Sequence, residues 1–594
     1  MKKTLHSILL SLLLLTVCAS RSLHAQPISF SWVKEAFASQ AGIHPVKTIT
    51  DNQGNIYVTG YFGNRVFIGT DTLDAVNPPF ANIFLAKYDS SGNYLWAKSY
   101  GGADTDYSYG LAVDDAGNVY ISGITYDAQI TFDAFTLTNQ PGSFSMGFWA
   151  KFNSSGQCQL AKAMWCKQNQ FGLAANTVND ITVDAQGMIY VTGGFETDTI
   201  CFDNECLAIQ KPIGFGGGNI FAAKFDAAGN CLWLSGSGPG TEGGFGDAGK
   251  SITLDENGDL YISGKIGSIK QVLGNETLYV ANGEEGFCAR LSSTTGNFMW
   301  AKAIRGFHFG EFTFDMANGI LSDRSGHIYV GGYYQGFSVV YDSTYTVSSP
   351  QNPQNPDSVK IFLFKLNASN GNVLWGKGYG NTAHGIAVGT DWAISPDMQR
   401  IAMAGFYGGL ACTFDALSAP AINGINGIVL EFDTIGTVLR GTPVISTTQD
   451  EFTSVAYDFT GKLIAAGKYS GTPSQLGNQF TLQNPFQNDF FYDLFLCRQG
   501  VPLPASVNDP AITEPVVIWP NPVNNQLNIM LPHPGEEVMI RIYDMTGRLI
   551  LSESHAGGIL QITVNTESLT GGKYLLSVVS GTYSATVPFV QAAK

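Results

Sequence analysis

The sequence predicts an all-β chain: a seven-bladed β-propeller whose last blade is closed by the N-terminal strand, followed by a small immunoglobulin-like β-sandwich. Three observations carry this reading. One strand-like run recurs seven times, as "GNIYVTG" (54–60), "GNVYISG" (117–123), "GMIYVTG" (187–193), "GDLYISG" (258–264), "GHIYVGG" (326–332), "QRIAMAG" (399–405) and "GKLIAAG" (461–467). A second run follows each copy, from "NIFLAKYD" (82–89) to "DLFLCRQ" (493–499), and after the first six a Gly turn leads into a run such as "YLWAKSYG" (94–101). The third observation is an orphan: "FSWVKEAF" (30–37) has the form of that last run but nothing like the first three before it.

Each unit thus holds four strand-like runs. In the second they are "YGLAVD" (109–114), "VYISG" (119–123), "GFWAKF" (147–152) and "CQLAKA" (158–163). Short runs of apolar, β-branched and aromatic residues between Gly, Asp and Asn turns signal strands. Apolar residues on both faces fit sheets packed on both sides, and four-stranded sheets repeated radially make a propeller. The seventh unit lacks its fourth strand, because "GVPLPAS" follows its third. The orphan run supplies it, so pairing of 30–37 with 493–499 is expected to close the ring and cover an edge. Trp32, Trp96, Trp233, Trp300 and Trp375 share one position in the fourth strands, which reads as a packing site.

Composition agrees. Charged residues are 13% and aromatics 12% of 594 residues, with 69 Gly, which suits many tight turns and excludes a disordered chain. Residues 1–25 read as a signal peptide: Lys2 and Lys3, an apolar core over 8–17, and "LHA" before Gln26. No other stretch is long and apolar enough for a transmembrane span. The formal charge of −16 becomes more negative once Lys2, Lys3 and Arg21 are removed, which excludes nucleic acid as a partner. The remaining cysteines lack metal-ligand spacing, and Cys201 and Cys206 are placed to bridge the arms of one hairpin.

The pattern D-x-x-G-N-x-Y-V-T-G, then F-x-A-K-Y-D-x-x-G-x-x-L-W-A-K, resembles the bacterial β-propeller repeat family called SBBP. The resemblance covers about 28–500 and implies a fold rather than an activity. Unit six departs from it, with Pro396 at the turn Asp and Arg440 at the Trp position. Beyond a linker at 501–514, residues 515–594 change pattern. There "WPNPVNNQLNI", "IYDMTGRLI" and "LTGGKYLLSV" resemble the type A C-terminal sorting domain of type IX secretion. That resemblance implies the type IX machinery as a partner and a secreted or cell-surface location. Pro520, Asn521 and Pro522 match the family turn, with a structural role.

Propeller chemistry is sparse. The connections after second and fourth strands vary in length and share one rim, the candidate binding face. Eight residues before the Asp of each D-x-x-G turn stand Asp106, Asn176, Asp247, Asp315 and Asp450, with Ile43 and Val388 in the other two units. They are either a partial carboxylate ring able to hold calcium or caps for their own loops. The D-x-x-G turns read as turns only. His308 and Glu311 are the candidate acid–base pair. Phe307, Phe309, Phe312 and Phe314 are candidates for stacking on sugars. The expected function is a non-catalytic binding module for an extracellular glycan or protein, needing no cofactor unless calcium. The competing readings are a polysaccharide lyase or hydrolase at the channel mouth, and a structural surface spacer.

Overall fold

Every regular element is a strand, and among the described residues there is no helix. The computed structural model describes residues 27–592 apart from 168–174, 209–217, 239–245, 281–282, 308–312, 349–357, 381–384, 410–411, 421–423, 447, 471–472, 478, 484–490, 501–516, 520–522, 532–537, 545–547, 557, 559–560 and 581–582. His308, Phe309, Glu311, Phe312, Pro520, Asn521, Pro522, the expected signal and the expected linker lie outside the described residues. The chain divides into two compact bodies, parting between Val501 and Pro502.

In the larger body the four runs of each unit pair as antiparallel neighbours. Unit one is the sheet Ile43–Thr50, Ile56–Phe62, Asn82–Tyr88 and Tyr94–Tyr100, in that order. The seventh unit contributes Asp450–Tyr457, Leu463–Tyr469 and Asp493–Gln499, and its fourth strand is Phe30–Ala38 from the start of the chain. The register sets Val33 opposite Cys497 and Ala36 opposite Leu494. Asp493 accepts the Ala38 N–H at 2.8 Å, and Glu35 accepts the Tyr469 hydroxyl at 2.6 Å.

The connections after the second strands are not simple loops. Each holds a short hairpin, such as Arg65–Ile68 with Asp71–Asp74 in unit one. Four of these hairpins pair with the fourth strand of the preceding unit; Ala36 of the N-terminal strand faces Ile68 in this way. They cover an edge that would otherwise offer free N–H and C=O groups. In unit three the hairpin arms are joined by the disulfide Cys201–Cys206, which are direct cross-strand partners.

The core is divided among the sheets. Among the described residues seven apolar clusters lie between successive units, and one of them combines Ala36, Ala466 and Leu496 of unit seven with Val58 and Phe62 of unit one. The shared Trp position locks neighbours. Trp96 of unit one lies on Gly156 in the third-strand turn of unit two and donates to Ser154 O at 3.3 Å. Trp233 and Trp300 repeat this on Gly296 and Gly371, donating at 3.0 and 3.1 Å to Ser293 O and Ala368 O. Trp375 lies on Gly436, and Trp32 of the N-terminal strand lies on Gly92 of unit one. Gly156 and Gly92 have φ of 78° and 77°, and a Cβ there would stand about 3 Å from the ring, so the turn and the contact both require glycine.

The smaller body has a three-stranded sheet (Val517–Trp519, Gln526–Met530, Gln561–Asn565) and a four-stranded sheet (Leu549–His555, Val538–Asp544, Gly572–Ser580, Tyr583–Gln591). Leu527, Ile529 and Val564 from the first meet Ile540, Ile542, Leu576 and Val578 from the second in one core. This is the two-layer arrangement of a β-sandwich.

Candidate functional site

First strands begin and second strands end at the same rim of the larger body, and the five polar residues singled out by their offset all lie there, buried. Asp247 accepts the N–H groups of Gly267 and Ser268 at 2.6 and 2.9 Å and the Ser268 hydroxyl at 2.7 Å. Asn176 Oδ1 accepts from the Glu196 N–H and the Thr197 hydroxyl at 3.2 and 3.1 Å. Asp450 Oδ1 accepts from Ser470 N and Ser474 Oγ, both at 3.3 Å. Asp315 accepts from Gly306 N and from Gln335 N at 2.9 Å. Asp247, Asn176 and Asp450 therefore hold the turn that leaves their own second strand, while Asp315 ties the end of its second strand to the fourth strand of unit four. The D-x-x-G aspartates are likewise engaged: Asp51 Oδ1 accepts the Gln53 and Asn55 N–H groups at 2.9 and 2.8 Å. Among the described residues no three His, Cys, Asp or Glu side chains form a metal-holding group.

Burial pushes the Asp315 carboxyl up to about 8, with Glu285 and Glu284 adding to the rise and the two N–H donors opposing it. The folded-state value lies above that of the unfolded chain. The stability this carboxyl contributes is therefore full below about pH 4 and is lost as pH rises towards about 8. Asp315→Asn is expected to flatten the fall in stability between about pH 5 and about pH 8, by about 1.4 kcal/mol per pH unit at most, read as melting temperature against pH. An unchanged pH profile would show the group does not titrate there.

Asp106 differs from the other four. Its Oδ2 accepts Gly102 N at 3.0 Å, but burial, opposed by Thr125 and the Gly102 N–H, still pushes its carboxyl up to about 8, with neighbouring Asp127 adding to the rise.

Beside these residues the same rim gathers aromatic rings from three units. His44 and Tyr61 face each other across the first two strands of unit one and stack at 4.7 Å between centroids. The Tyr61 ring meets Tyr107 of unit two edge-on at 4.6 Å, and Tyr107 lies 6.0 Å from Tyr109. Tyr109 falls in the β-bulge between Ser108 and Gly110, which takes it out of the strand pairing. On the other side His44 meets Tyr492 of unit seven at 5.2 Å. All five rings are half-buried, each with part of its surface open to solvent. Lys468 sits 4.4 Å above the Tyr492 ring and 3.3 Å from Glu451. Burial and then Lys468 hold the His44 imidazole down at about 3, so it is neutral. Burial, Tyr107 and Glu451 push the Tyr61 phenol up to about 12. Phe307 and Phe314 are exposed at this rim in unit four, 54% and 51%. The tyrosines went unmarked in the sequence because no shared offset places them, and the contacts that join the rings into one cluster, Tyr61 with Tyr107 and His44 with Tyr492, cross unit boundaries.

A family comparison assigns the smaller body: residues 517–591 match the secretion system C-terminal sorting domain. The chain carries a type IX sorting domain. The protein is accordingly secreted and attached at the cell surface, and the sorting domain engages the type IX secretion machinery. No helix among the described residues is long and apolar enough to cross a membrane. An uncharacterized WD repeat-containing protein of Acanthamoeba polyphaga mimivirus is 23% identical over 219 residues, 32% of this chain and 15% of that relative. The chain thus spans a small part of that relative's length. Among solved structures, the WD40 repeats of RRP9 align over 80% of this chain and 100% of theirs at 7% identity and TM-score 0.32. A puromycin hydrolase aligns over 73% of this chain and 59% of its own at 10% identity and TM-score 0.33.

Proposed function

We propose that residues 26–500 form a closed seven-bladed propeller of SBBP type, and that it is a binding module for an extracellular glycan. In this reading a signal at 1–25 starts export, a linker at 501–514 follows the propeller, and the sorting domain spans 515–594. Closure is supported by the strand shared between the chain ends and by Trp32 on Gly92. It is supported too by the Thr48 N–H of unit one donating to Ser454 Oγ of unit seven at 2.7 Å.

The observation that carries the binding reading is the ring cluster His44–Tyr61–Tyr107–Tyr109 with Tyr492. Half-buried tyrosines present flat apolar faces with hydroxyls at their edges, which suits the C–H faces and hydroxyls of sugars. A neutral His44 suits stacking better than proton donation at ordinary pH. Lys468 on Tyr492 beside Glu451 is an internal example of a cation held by this surface, so amino sugars fit better than acidic ones.

The test is titration of the purified protein with chitosan oligomers and, in parallel, cello-oligomers. Tyr61→Ala with Tyr107→Ala is expected to weaken binding at least about tenfold, ~1.4 kcal/mol, with the melting temperature little changed. Binding unaffected by this pair would remove the cluster from the site. Turnover of either oligomer would replace a binding module by an enzyme.

A further inference from the structure

The Gly101–Gly102 corner, at the end of the unit-one fourth strand, is lined by three polar side chains from two units. Asn82 begins the third strand of unit one, Asp106 begins the first strand of unit two, and Asp127 follows the second strand of unit two. Their exposures are 1%, 0% and 7%. They converge closely. A Cβ on Gly101 would lie 2.6 Å from both Asn82 Nδ2 and Asp106 Oδ2, and one on Gly102 would lie 2.3 Å from Asp127 Oδ2.

Some of their atoms are accounted for. Asp127 Oδ1 accepts the Ala103 and Asp104 N–H groups at 2.8 and 2.9 Å, and Asp106 Oδ2 accepts that of Gly102. Asn82 Oδ1, Asp106 Oδ1 and Asp127 Oδ2 are buried without a well-formed hydrogen bond, while the Thr125 hydroxyl and the Asp127 carboxyl lie within reach of the Asp106 carboxyl. A buried carboxylate oxygen without a partner is costly, and two carboxylates side by side raise the cost further. Asp247 and Asn176 on the same rim show how such side chains can be satisfied, each taking two or more donors from its own loop.

We propose that Asn82, Asp106 and Asp127 form a divalent-cation site between units one and two, of the oxygen-ligand type that calcium favours. The cation would neutralise both carboxylates and tie the two units together at the rim, next to Tyr107. This assignment does not depend on the glycan reading. It differs from a carboxylate ring, because one corner holds the site and the other rim residues act as caps.

The experiment is thermal unfolding of the full chain in EDTA and with calcium chloride added in excess, alongside calorimetric titration of calcium. A ligand bound only by the folded state raises the melting temperature. Calcium is expected to raise it by several degrees, reversibly by EDTA. Asp127→Asn should abolish both the shift and the binding heat, while Asp247→Asn should keep them. Asp106→Asn serves as a second variant should Asp127→Asn fold poorly. The proposal is overturned if calcium moves neither the melting temperature nor the calorimetric trace. It is equally overturned if the shift survives in Asp127→Asn and Asp106→Asn. The remaining outcome, a melting temperature indifferent to calcium but falling with rising pH, would mean that the carboxylates share a proton instead.

Discussion

A chain lacking residues 27–38 is expected to lose the cooperative unfolding transition of the larger body. Those residues hydrogen-bond along Asp493–Gln499, whose side chains are almost all buried, and their removal opens that strand as an edge. Phe30 is fully buried and packs with Phe452, Tyr469 and Phe495, so Phe30→Ala alone should cost about 3–5 kcal/mol. Set against a typical total of about 5–15 kcal/mol, one such loss is serious, and deletion of the whole strand removes several comparable contacts. Circular dichroism melting and limited proteolysis would read the effect. A synthetic peptide spanning 27–40, added in trans, should restore part of the transition. A deletion variant that still melts sharply near the parental temperature would show that this strand contributes little.

The second large effect is expected at Asp391, on the first strand of unit six. It is 4% exposed and serves two neighbours at once. Its Oδ2 accepts the Ser454 hydroxyl and the Val455 N–H of unit seven at 2.7 and 3.0 Å, while Oδ1 binds Lys47 of unit one at 2.6 Å. Burial works against the Lys47 charge, but Asp391 and Asp180 outweigh it and raise the ammonium pKa. Asp391→Ala would leave a cation and two donors without their acceptor. Removing one partner of a buried pair costs about 3–5 kcal/mol, and the lower end applies because a quarter of the Lys47 side chain meets solvent. The double variant Lys47→Met with Asp391→Leu should recover much of the loss, since an apolar pair leaves no stranded charge. Equal melting temperatures for Asp391→Ala and the parent protein would count against this account.

Much of the architecture was legible because the unit repeats and the strand period is short. The pairing of "FSWVKEAF" with "DLFLCRQ" followed from counting strands. Of the hairpins inside the second connections only that of unit three was legible, through Cys201 and Cys206. Runs such as "RVFI" and "DTLD" are four residues long, are partly exposed and carry charges, so they look like loop until an outer strand pairs with them. The caps were visible as an offset. Asp127 was not, because the residue at its distance from the closing glycine changes type from unit to unit, being Thr197 in unit three and Ser268 in unit four, which there donate to Asn176 and Asp247. Arg440 was visible as a departure, and its cause lies outside its own strand. It binds buried Glu431 at 2.6 Å beside Arg400 at 3.0 Å, and unit seven has no third-strand Gly turn on which a tryptophan could rest.

The contact of tryptophan on glycine has a direction: five units offer a ring forwards, and each ring meets the third-strand turn of the following unit. A repeat array built this way carries its own start and stop. An interior unit such as the fourth could be duplicated, and the copy would find a ring behind it and a turn ahead. An extra unit appended after the seventh would come between that unit and the N-terminal strand that completes it, and would part Trp32 from Gly92. Growth of such an array by gene duplication is therefore confined to its interior, and the number of copies is held at the ends.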